Sequence, residues 1–358
     1  MLLIIFARLN GGLTMNIREL RNMFPALSRT VYGKQLVYFD NAATAQRSQS
    51  VIDKWTQLTI GANANIHRAV HKLAVDATDE YESTRDAVKE YINAAAREEI
   101  VFTSGTTGSI NLVAFSFGET FVNKGDEIIV SESEHHSNIV PWQMLCQRKG
   151  AVLRVLHEDE DGHLNLEELK SLLNPKTRIV AVTQISNVLG ILNPIKEIVS
   201  VCHSVGCPVL IDGAQGMVHE GVDVQDVDCD FYAFSGHKLY AATGTGVLYG
   251  KRKWLDQMVP YQGGGEMIAT VRFSGTTYAP LPEKFEAGTQ NINAIPTLEP
   301  AIEMLKLMKD KELLNAQEAV SQYLLHALTS NPRIRLYGVP RGTETKIPLF
   351  SFSVEGAH

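Results

Sequence analysis

The sequence has 358 residues, 44% of them hydrophobic and 20% charged, and a formal net charge of −7. This length provides one large domain or two ordinary ones with a substantial core, and the composition excludes a disordered, collagen-like or coiled-coil chain. The acidic balance argues against a dedicated nucleic-acid-binding protein, and four cysteines without a C-x-x-C pair indicate a reduced, cytoplasmic protein rather than a disulfide scaffold.

The chain opens on an apolar stretch, Met1–Phe6, which is far shorter than the roughly 20 residues that a membrane span needs. The stretch also lacks the basic leading segment and the small-residue cleavage site of a signal peptide, so no membrane association is expected. A helix-spaced segment follows a second methionine, Met15. We interpret residues 1–14 as a start-site extension and residues 15–35 as an N-terminal helix that packs with a small C-terminal domain.

The middle of the chain alternates strand-like and helical patterns. Short runs of β-branched or aromatic residues, each closed by polar residues or Gly, predict buried strands. They are Glu99–Thr103, Glu127–Val130, Val152–Leu156, Arg178–Val182, Pro208–Ile211, Asp230–Phe234 and Thr245–Tyr249. Segments with helical periodicity, such as Leu166–Leu173 and Ile195–Cys202, lie between most of them. This alternation predicts an α/β fold in which a mostly parallel seven-stranded sheet, flanked by helices, forms a large domain over residues 36–296.

Residues 297–358 have a different pattern. A long helical pattern begins at Leu298 and precedes two strand-like runs, Arg333–Tyr337 and Leu349–Val354. We interpret this segment as the start of a smaller α+β domain. Because the chain stops directly after a strand-like run, we expect that domain to be incomplete.

Two charged residues follow predicted strands at the sheet edge where parallel sheets bind ligands. Lys238 ends the turn Ser235-Gly236-His237-Lys238, and burial of its amine would favour the neutral form that attacks a carbonyl to form a Schiff base. Asp212 ends an apolar strand, and a protonated pyridine nitrogen is one partner for such a carboxylate. Taken alone, a solvent-facing lysine and a capping or metal-binding aspartate are the simpler alternatives.

A hydroxyl-rich loop, Thr103–Ser109, joins a predicted strand to a predicted helix. Backbone N–H groups at a helix start, with Thr106 and Thr107, would make a cradle for one phosphate, and a simple capped helix is the alternative. The loop matches neither a Walker A motif nor G-x-G-x-x-G, so nucleotide binding is the weaker inference. His135, in Glu134-His135-His136, would stack on a flat cofactor ring or, with further ligands, bind a metal.

The segment Cys202-His203-x3-Cys207 also raises the question of zinc. It lies across a predicted helix end and lacks the usual cysteine pairing, so core packing is favoured. The candidate site residues that remain are those of the cradle, a stacking histidine, Asp212 and Lys238. Asp212 and Lys238 are 26 residues apart, which is the length of one β-α-β step. Together these residues fit pyridoxal 5′-phosphate (PLP) far better than any one of them does.

From about Met15 onward the sequence resembles the class V, fold type I PLP enzymes, specifically the SufS-type (group II) cysteine desulfurases and selenocysteine lyases. The matching motifs are Tyr38–Ala43, Asn65–His71, Gly105–Thr107, Glu134–Trp142, Ser186–Gly190, Asp212–Gln215, Ser235–Tyr240 and Phe285–Thr289. The resemblance implies a homodimer that converts L-cysteine, or L-selenocysteine, to L-alanine. It also implies that the sulfur forms a persulfide on an enzyme cysteine and passes to an acceptor protein for iron–sulfur cluster assembly.

The resemblance further implies individual roles around the cofactor. Lys238 would bind PLP covalently and shuttle the substrate Cα proton, Asp212 would pair with the pyridine nitrogen, and Gln215 would pair with the ring hydroxyl. His135 would stack on the ring and assist proton transfer.

Other residues that match the family motifs would contact the phosphate and the substrate. The implied phosphate ligands are Thr107, Ser235 and His237, with Thr106 as a neighbouring candidate. Thr289 would reach the phosphate from the second subunit. Asn187 would contact the substrate carboxylate, and His67 would lie near the substrate entrance. No metal is implied.

The sequence departs from the family where sulfur should be carried. The family's persulfide cysteine lies in a late R-x-G-x-H-C motif, followed by an arginine that binds the substrate carboxylate, and neither motif occurs here. The cysteines present are Cys146, Cys202, Cys207 and Cys229. None of them has a matching context or an evident electropositive setting. Smaller departures are Ala241-Ala242, where the family has Gly-Pro, and Gln290.

Three functions remain open at this point. The preferred one is a cysteine desulfurase whose given sequence lacks its C-terminal end, so that it binds PLP but transfers sulfur weakly or not at all. The second is a selenocysteine lyase, or a racemase or transaminase of the same class, without persulfide chemistry. The third is a non-catalytic fragment that binds PLP.

Overall fold

The structure is a computed structural model that describes residues 17–67, 70–309, 311–338 and 346–357. The proposed start-site extension, residues 1–14, lies outside the described residues. The strands are β1 (Thr30–Val31), β2 (Lys34–Gln35), β3 (Ile100–Thr103), β4 (Glu127–Ser131), β5 (Val152–Leu156), β6 (Thr177–Thr183), β7 (Val209–Asp212), β8 (Phe231–Ser235), β9 (Gly246–Gly250), β10 (Ile268–Arg272), β11 (Gly275–Tyr278), β12 (Ile334–Tyr337) and β13 (Ser351–Val354).

Helices connect most of these strands. The α-helices are α1 (Ile17–Asn22), α2 (Gln49–Gly61), α3 (Lys72–Tyr91), α4 (Thr106–Phe121), α5 (Val140–Lys149), α6 (Leu166–Leu172), α7 (Ile195–His203), α8 (Gly216–His219), α9 (Val224–Val227), α10 (Arg252–Leu255), α11 (Leu298–Met308) and α12 (Lys311–Thr329). Short 3₁₀ turns cover Pro25–Ser28, Arg97–Glu99, His136–Asn138, Gly236–Lys238, Glu283–Phe285 and Ile295–Thr297. Within the described residues, no helix combines the length and the apolar character needed to cross a membrane.

The central sheet has seven strands in the order β3-β9-β8-β7-β6-β4-β5. Only β9 runs antiparallel to its neighbours, and the other adjacent pairs are parallel. The predicted α/β fold with a mostly parallel seven-stranded sheet is therefore confirmed. Each strand begins and ends within one residue of its predicted run. The inner strands β7, β8 and β9 are buried along their whole length, which explains their mainly apolar and β-branched sequences. The edge strand β5 is largely exposed and includes Arg154.

The core lies on both faces of this sheet. Along β8, Phe231 and Ala233 belong to one hydrophobic cluster, whereas Tyr232 and Phe234 belong to the other. Successive strand residues point to opposite faces, so each face needs its own cover. Helices α4 and α5 supply it on one face, and α3 and α7 supply it on the other. The rigid sheet thereby fixes the loops at its carboxyl edge.

The helical pattern that begins at Leu298 forms two helices rather than one. Helix α11 ends at Met308, because Lys309 leaves helical geometry, with φ −80° and ψ 6°. Helix α11 packs on α3 and α2 at the large sheet, whereas α12 leads into the β12–β13 pair, in which Tyr337 lies opposite Ser351. The single long helix expected from the sequence is therefore wrong in its continuity, and the two predicted strands are present.

A buried ion pair links α3 to the chain segment that carries Thr289. Arg85, 1% exposed, donates to Glu286 at 2.7 and 3.0 Å. Glu286 also accepts from the Phe102 backbone N–H at 2.7 Å and from the Tyr81 hydroxyl at 3.2 Å. Four donors on one buried carboxylate compensate the loss of its hydration, so this pair fixes the segment after β11 against the sheet.

Candidate active site

The candidate site is a cavity of about 500 Å³ at the carboxyl edge of the sheet. It is lined by residues that follow strands β3, β4, β6, β7 and β8. The predicted site residues among them are Thr106, Thr107, His135, Asn187, Asp212, Ser235, His237 and Lys238. Parallel strands that end at one edge bring together side chains that lie far apart in sequence.

The ends of strands β7 and β8, with the glycines Gly213 and Gly236 that follow them, position one side of the cavity. Strands β7 and β8 are parallel, and their register places Asp212 opposite Ala233. A Cβ on Gly213 would lie 2.0 Å from the Tyr232 ring, and one on Gly236 would lie 2.1 Å from the Thr245 hydroxyl. Only glycine allows the chain to turn this tightly after each strand, so these two positions hold Asp212 and Lys238 at the same edge.

The start of helix α4 forms an anion cradle at one end of the cavity. The Thr106 N–H donates to Ser235 Oγ at 2.7 Å, and the two hydroxyls lie 2.8 Å apart. Gly105, at φ +144°, lets the two loops approach, since a Cβ there would lie 3.2 Å from Ser235 Oγ. Thr107 and His237 also line the cavity. Backbone N–H groups at the start of a long helix, surrounded by hydroxyls, favour a phosphate-sized anion.

Asp212 is the buried carboxylate of the site. It is 2% exposed, and its Oδ1 accepts a hydrogen bond from the Ala214 N–H at 2.9 Å. Burial raises the pKa of Asp212, although this hydrogen bond and the nearby Lys238 and His135 oppose the rise. The structure records no ion pair between Asp212 and Lys238. A cation that enters the cavity would therefore find a carboxylate with spare capacity to pair with it.

Lys238 is the amine of the site. It ends the 3₁₀ turn after β8 and lines the cavity with Asp212. Burial lowers the pKa of Lys238, and the negative charge of Asp212 opposes this effect only in part. A larger fraction of neutral, nucleophilic amine is thus present near neutral pH than for an exposed lysine.

His135 is held as a neutral ring. Its Nδ1 accepts a hydrogen bond from the Ser137 N–H at 3.1 Å, and the Ser137 hydroxyl lies 2.7 Å from the same nitrogen. A backbone N–H can only donate, so this contact assigns the ring proton to Nε2. Burial, together with the positive charge of Lys238, lowers the pKa of His135. A neutral, flat imidazole at the cavity wall is suited to contact a cofactor ring.

Three predicted site residues do not line this cavity. Gln215 donates to the Ala42 carbonyl at 2.8 Å, and Ala42 itself lines the cavity, so Gln215 supports the wall from behind. Thr289 is exposed and lines a separate cavity of about 260 Å³. His67 is exposed, and its hydrogen bond to Glu82, at 3.1 Å, raises its pKa.

The structure brings in residues that had no predicted role. Asp40, Ala42 and Ala43 line the cavity, and Thr44 Oγ1 lies 3.1 Å from His237 Nδ1. Asp40, Ala42 and Ala43 belong to the motif Tyr38–Ala43, which contributed to the family resemblance but from which no site residue was predicted. Asn187 lines the cavity on a loop that the C-terminal segment supports, since the Ile347 N–H donates to the Gly190 carbonyl at 2.9 Å.

The histidine and cysteine segment that raised the question of zinc packs in the core. His203 lies 2.7 Å from Asp230 and 3.1 Å from Asp228, and Cys202 and Cys207 are buried beside it. Among the residues that the structure describes, no group of three or more His, Cys, Asp or Glu side chains could hold a metal ion.

The cavity fits PLP at three separated points. The α4 cradle suits the phosphate, the buried Asp212 suits a protonated ring nitrogen, and Lys238 suits the aldehyde. Two observations support this fit: Gly105 lies close to Ser235, and the Asp212 carboxylate is incompletely paired. Neither would be needed if the start of α4 were only a capped helix.

Comparison with known proteins agrees with this geometry. The family model for class-V aminotransferases matches residues 37–358. The chain is 48% identical to a cysteine desulfurase of Pectobacterium carotovorum subsp. carotovorum (strain PC1), over 90% of this chain and 79% of the relative. It is 47% identical to a cysteine desulfurase of Escherichia coli O127:H6 (strain E2348/69 / EPEC), over 92% of this chain and 81% of the relative.

Solved structures of similar proteins superpose closely. The cysteine desulfurase CsdA of Escherichia coli, in an S-sulfonic acid form, matches with a TM-score of 0.84 at 38% identity, over 96% of this chain and 84% of that one. The apo cysteine desulfurase of Thermococcus onnurineus NA1 matches with a TM-score of 0.88 at 32% identity, with the same coverage. The chain therefore belongs to the class-V aminotransferase family, as a PLP-dependent cysteine desulfurase.

Proposed function

We propose that this enzyme is a SufS-type cysteine desulfurase, which converts L-cysteine to L-alanine and serves iron–sulfur cluster assembly through an acceptor protein, and that sulfur transfer by the chain described here is weak or absent. The observation that carries the proposal is one cavity that gathers the α4 cradle, Asp212 and Lys238. The cysteine desulfurases to which the chain is 47–48% identical support the choice of substrate.

Four residues would act around the cofactor ring. When bound, PLP supplies an electron sink for the charge that develops at the substrate Cα. Lys238 would hold the cofactor and move the proton at that carbon, since its lowered pKa lets it act as a base. Asp212 would keep the ring nitrogen protonated, and the neutral ring of His135 would stack on the cofactor. Gln215, whose side-chain amide donates to the Ala42 carbonyl, would pair with the ring hydroxyl.

The remaining proposed roles concern the phosphate and the substrate. The proposed phosphate ligands are Thr106, Thr107, Ser235 and His237. Thr289, which is exposed in this chain, would reach the phosphate of a second copy, and the enzyme would then act as a homodimer. Asn187 would bind the substrate carboxylate, and His67, held by Glu82, would lie at the entrance.

The cysteines of the chain do not suit sulfur transfer. All four are buried and free, and burial raises the pKa of each thiol, to about 12 for Cys202. A persulfide carrier needs an accessible thiolate. We therefore propose that none of them carries sulfur.

The burial of all four cysteines favours a second candidate function, that of a selenocysteine lyase, because selenium leaves the substrate more readily than sulfur when no thiol attacks it. Free thiols also support a cytoplasmic location.

Lys238→Ala should abolish covalent capture of the cofactor. Borohydride reduces the carbon–nitrogen double bond between a lysine and the PLP aldehyde to a stable amine, which peptide mass spectrometry locates. We expect the adduct on Lys238 in the unaltered chain and none in the variant, with Lys170→Ala, at an exposed lysine, as the unaffected control. Unchanged trapping in Lys238→Ala would show that another amine holds the cofactor.

The pH dependence of capture should report the burial of Lys238. Because its pKa is lowered below 10.5, the neutral amine forms at lower pH, and the rate of capture should rise with pH and level off below that value. Asp212→Asn removes the negative charge that opposes this shift, so the midpoint should move to still lower pH. The measurement is the rate of borohydride-trapped adduct at Lys238 between about pH 6 and 10. A midpoint that moves upward in Asp212→Asn would contradict the assignment.

The chain should form no persulfide on its own cysteines. After incubation with PLP and L-cysteine, alkylation and mass spectrometry should find unmodified thiols at Cys146, Cys202, Cys207 and Cys229, because each is buried. Alanine release should be faster from L-selenocysteine than from L-cysteine, with the Lys238→Ala variant as the blank. A persulfide on any of the four would refute the proposal that none carries sulfur.

A further inference from the structure

Glu134 is a buried acid next to the cavity that has no role in the proposed chemistry. It is 6% exposed. Its Oε1 accepts a hydrogen bond from the Thr183 N–H at 2.6 Å and contacts the Ser131 hydroxyl, and its Oε2 accepts from Asn138 Nδ2 at 2.7 Å. The residue that follows it in the chain is His135.

These contacts join three parts of the site. Ser131 ends β4, and Thr183 ends β6, the neighbouring parallel strand. Asn138 closes the 3₁₀ turn that begins directly after His135. The Thr183 hydroxyl donates to the Ile185 carbonyl at 2.9 Å and lies 3.3 Å from the Asp212 carbonyl, to which the Gln184 N–H donates at 2.9 Å, so the network extends to β7. One carboxyl group therefore connects the strand ends on which the cavity is built to the turn beside His135.

The polarity of this network is fixed. Trp142 Nε1 donates to Asn138 Oδ1 at 2.9 Å, so the Asn138 amide nitrogen must face Glu134. The Thr183 N–H can only donate. Both carboxyl oxygens of Glu134 must therefore accept hydrogen bonds, and an amide group at this position would place its NH₂ against a donor. Burial raises the pKa of Glu134 to about 8, and the negative charge of Asp212 adds to the rise. When Glu134 is protonated, its carboxyl O–H can donate a hydrogen bond to the Ser131 hydroxyl.

We propose that Glu134 is a positioning residue that fixes His135 over the cofactor ring, by tying the ends of β4 and β6 to the turn after His135. This inference rests on the proposed placement of His135. Glu134 touches neither the cofactor nor the substrate, so its effect on the cofactor passes through His135. A residue that merely stabilises the core would instead affect the cofactor equally whether or not His135 is present.

The test measures PLP affinity of the apo chain by absorption, in a double-mutant cycle of Glu134→Gln and His135→Ala. We expect Glu134→Gln to weaken PLP binding about tenfold, and to have less than about a twofold further effect when His135→Ala is already present. An equal loss in both backgrounds, or no loss in Glu134→Gln, overturns the inference. If His135→Ala leaves the affinity unchanged, the proposed place of His135 is wrong as well, so the two failures are distinguishable.

A second variant separates positioning from folding. In Glu134→Gln/Asn138→Asp, the carboxylate introduced at position 138 accepts from the amide introduced at position 134 and still accepts from Trp142. The hydrogen bond between the two positions is thus restored with reversed polarity. We expect both the melting temperature of the apo chain and the visible circular dichroism of bound PLP to return to those of the unaltered protein. A restored melting temperature with an altered cofactor spectrum overturns the inference.

Discussion

A carboxylate buried at the end of a parallel strand needs a positive partner, and Asp212 is only partly compensated by the groups around it. A single backbone N–H donates to its side chain at 2.9 Å, and Lys238 acts on it through the cavity without forming an ion pair. Burial penalises the charge of an unpaired acid severely. Burial lowers the pKa of Lys238 and of His135, and the negative charge of Asp212 opposes both shifts only in part. The same buried cavity therefore holds a neutral imidazole, a more readily neutral amine and an acid that is ready to pair with a cationic ring.

The fold keeps that arrangement in place. Asp212 and Lys238 follow adjacent parallel strands, β7 and β8, which two hydrophobic clusters hold from both faces. The cradle at α4 lies on the far side of β9, and the hydrogen bonds between Thr106 and Ser235 close that gap. The sheet thus fixes the relative positions of Asp212, Lys238 and the cradle. A site built on such rigid elements is pre-organised for its ligand.

The sequence predicted the sheet and much of the cavity because both depend on local signals. Strands buried on both faces consist of apolar runs, and one β-α-β step places Asp212 and Lys238 at the same edge. The sequence between α11 and α12 contains no Gly or Pro, so the hydrophobic periodicity alone could not predict that the helix breaks there. The side-chain partners of Gln215 and the role inferred for Glu134 depend on contacts with distant segments, Ala42 and Thr183, which no local pattern encodes. The proposed role of Thr289 at the phosphate depends on a second chain and remains a prediction.

The most direct test of the account is an experimental structure of this chain with PLP bound. We predict the phosphate at the start of α4 beside Thr106 and Ser235, the ring nitrogen within hydrogen-bond distance of Asp212, and continuous density from the cofactor to Lys238 Nζ. A cofactor bound with its ring reversed, with another side chain at its nitrogen, or outside this cavity would contradict the central claim.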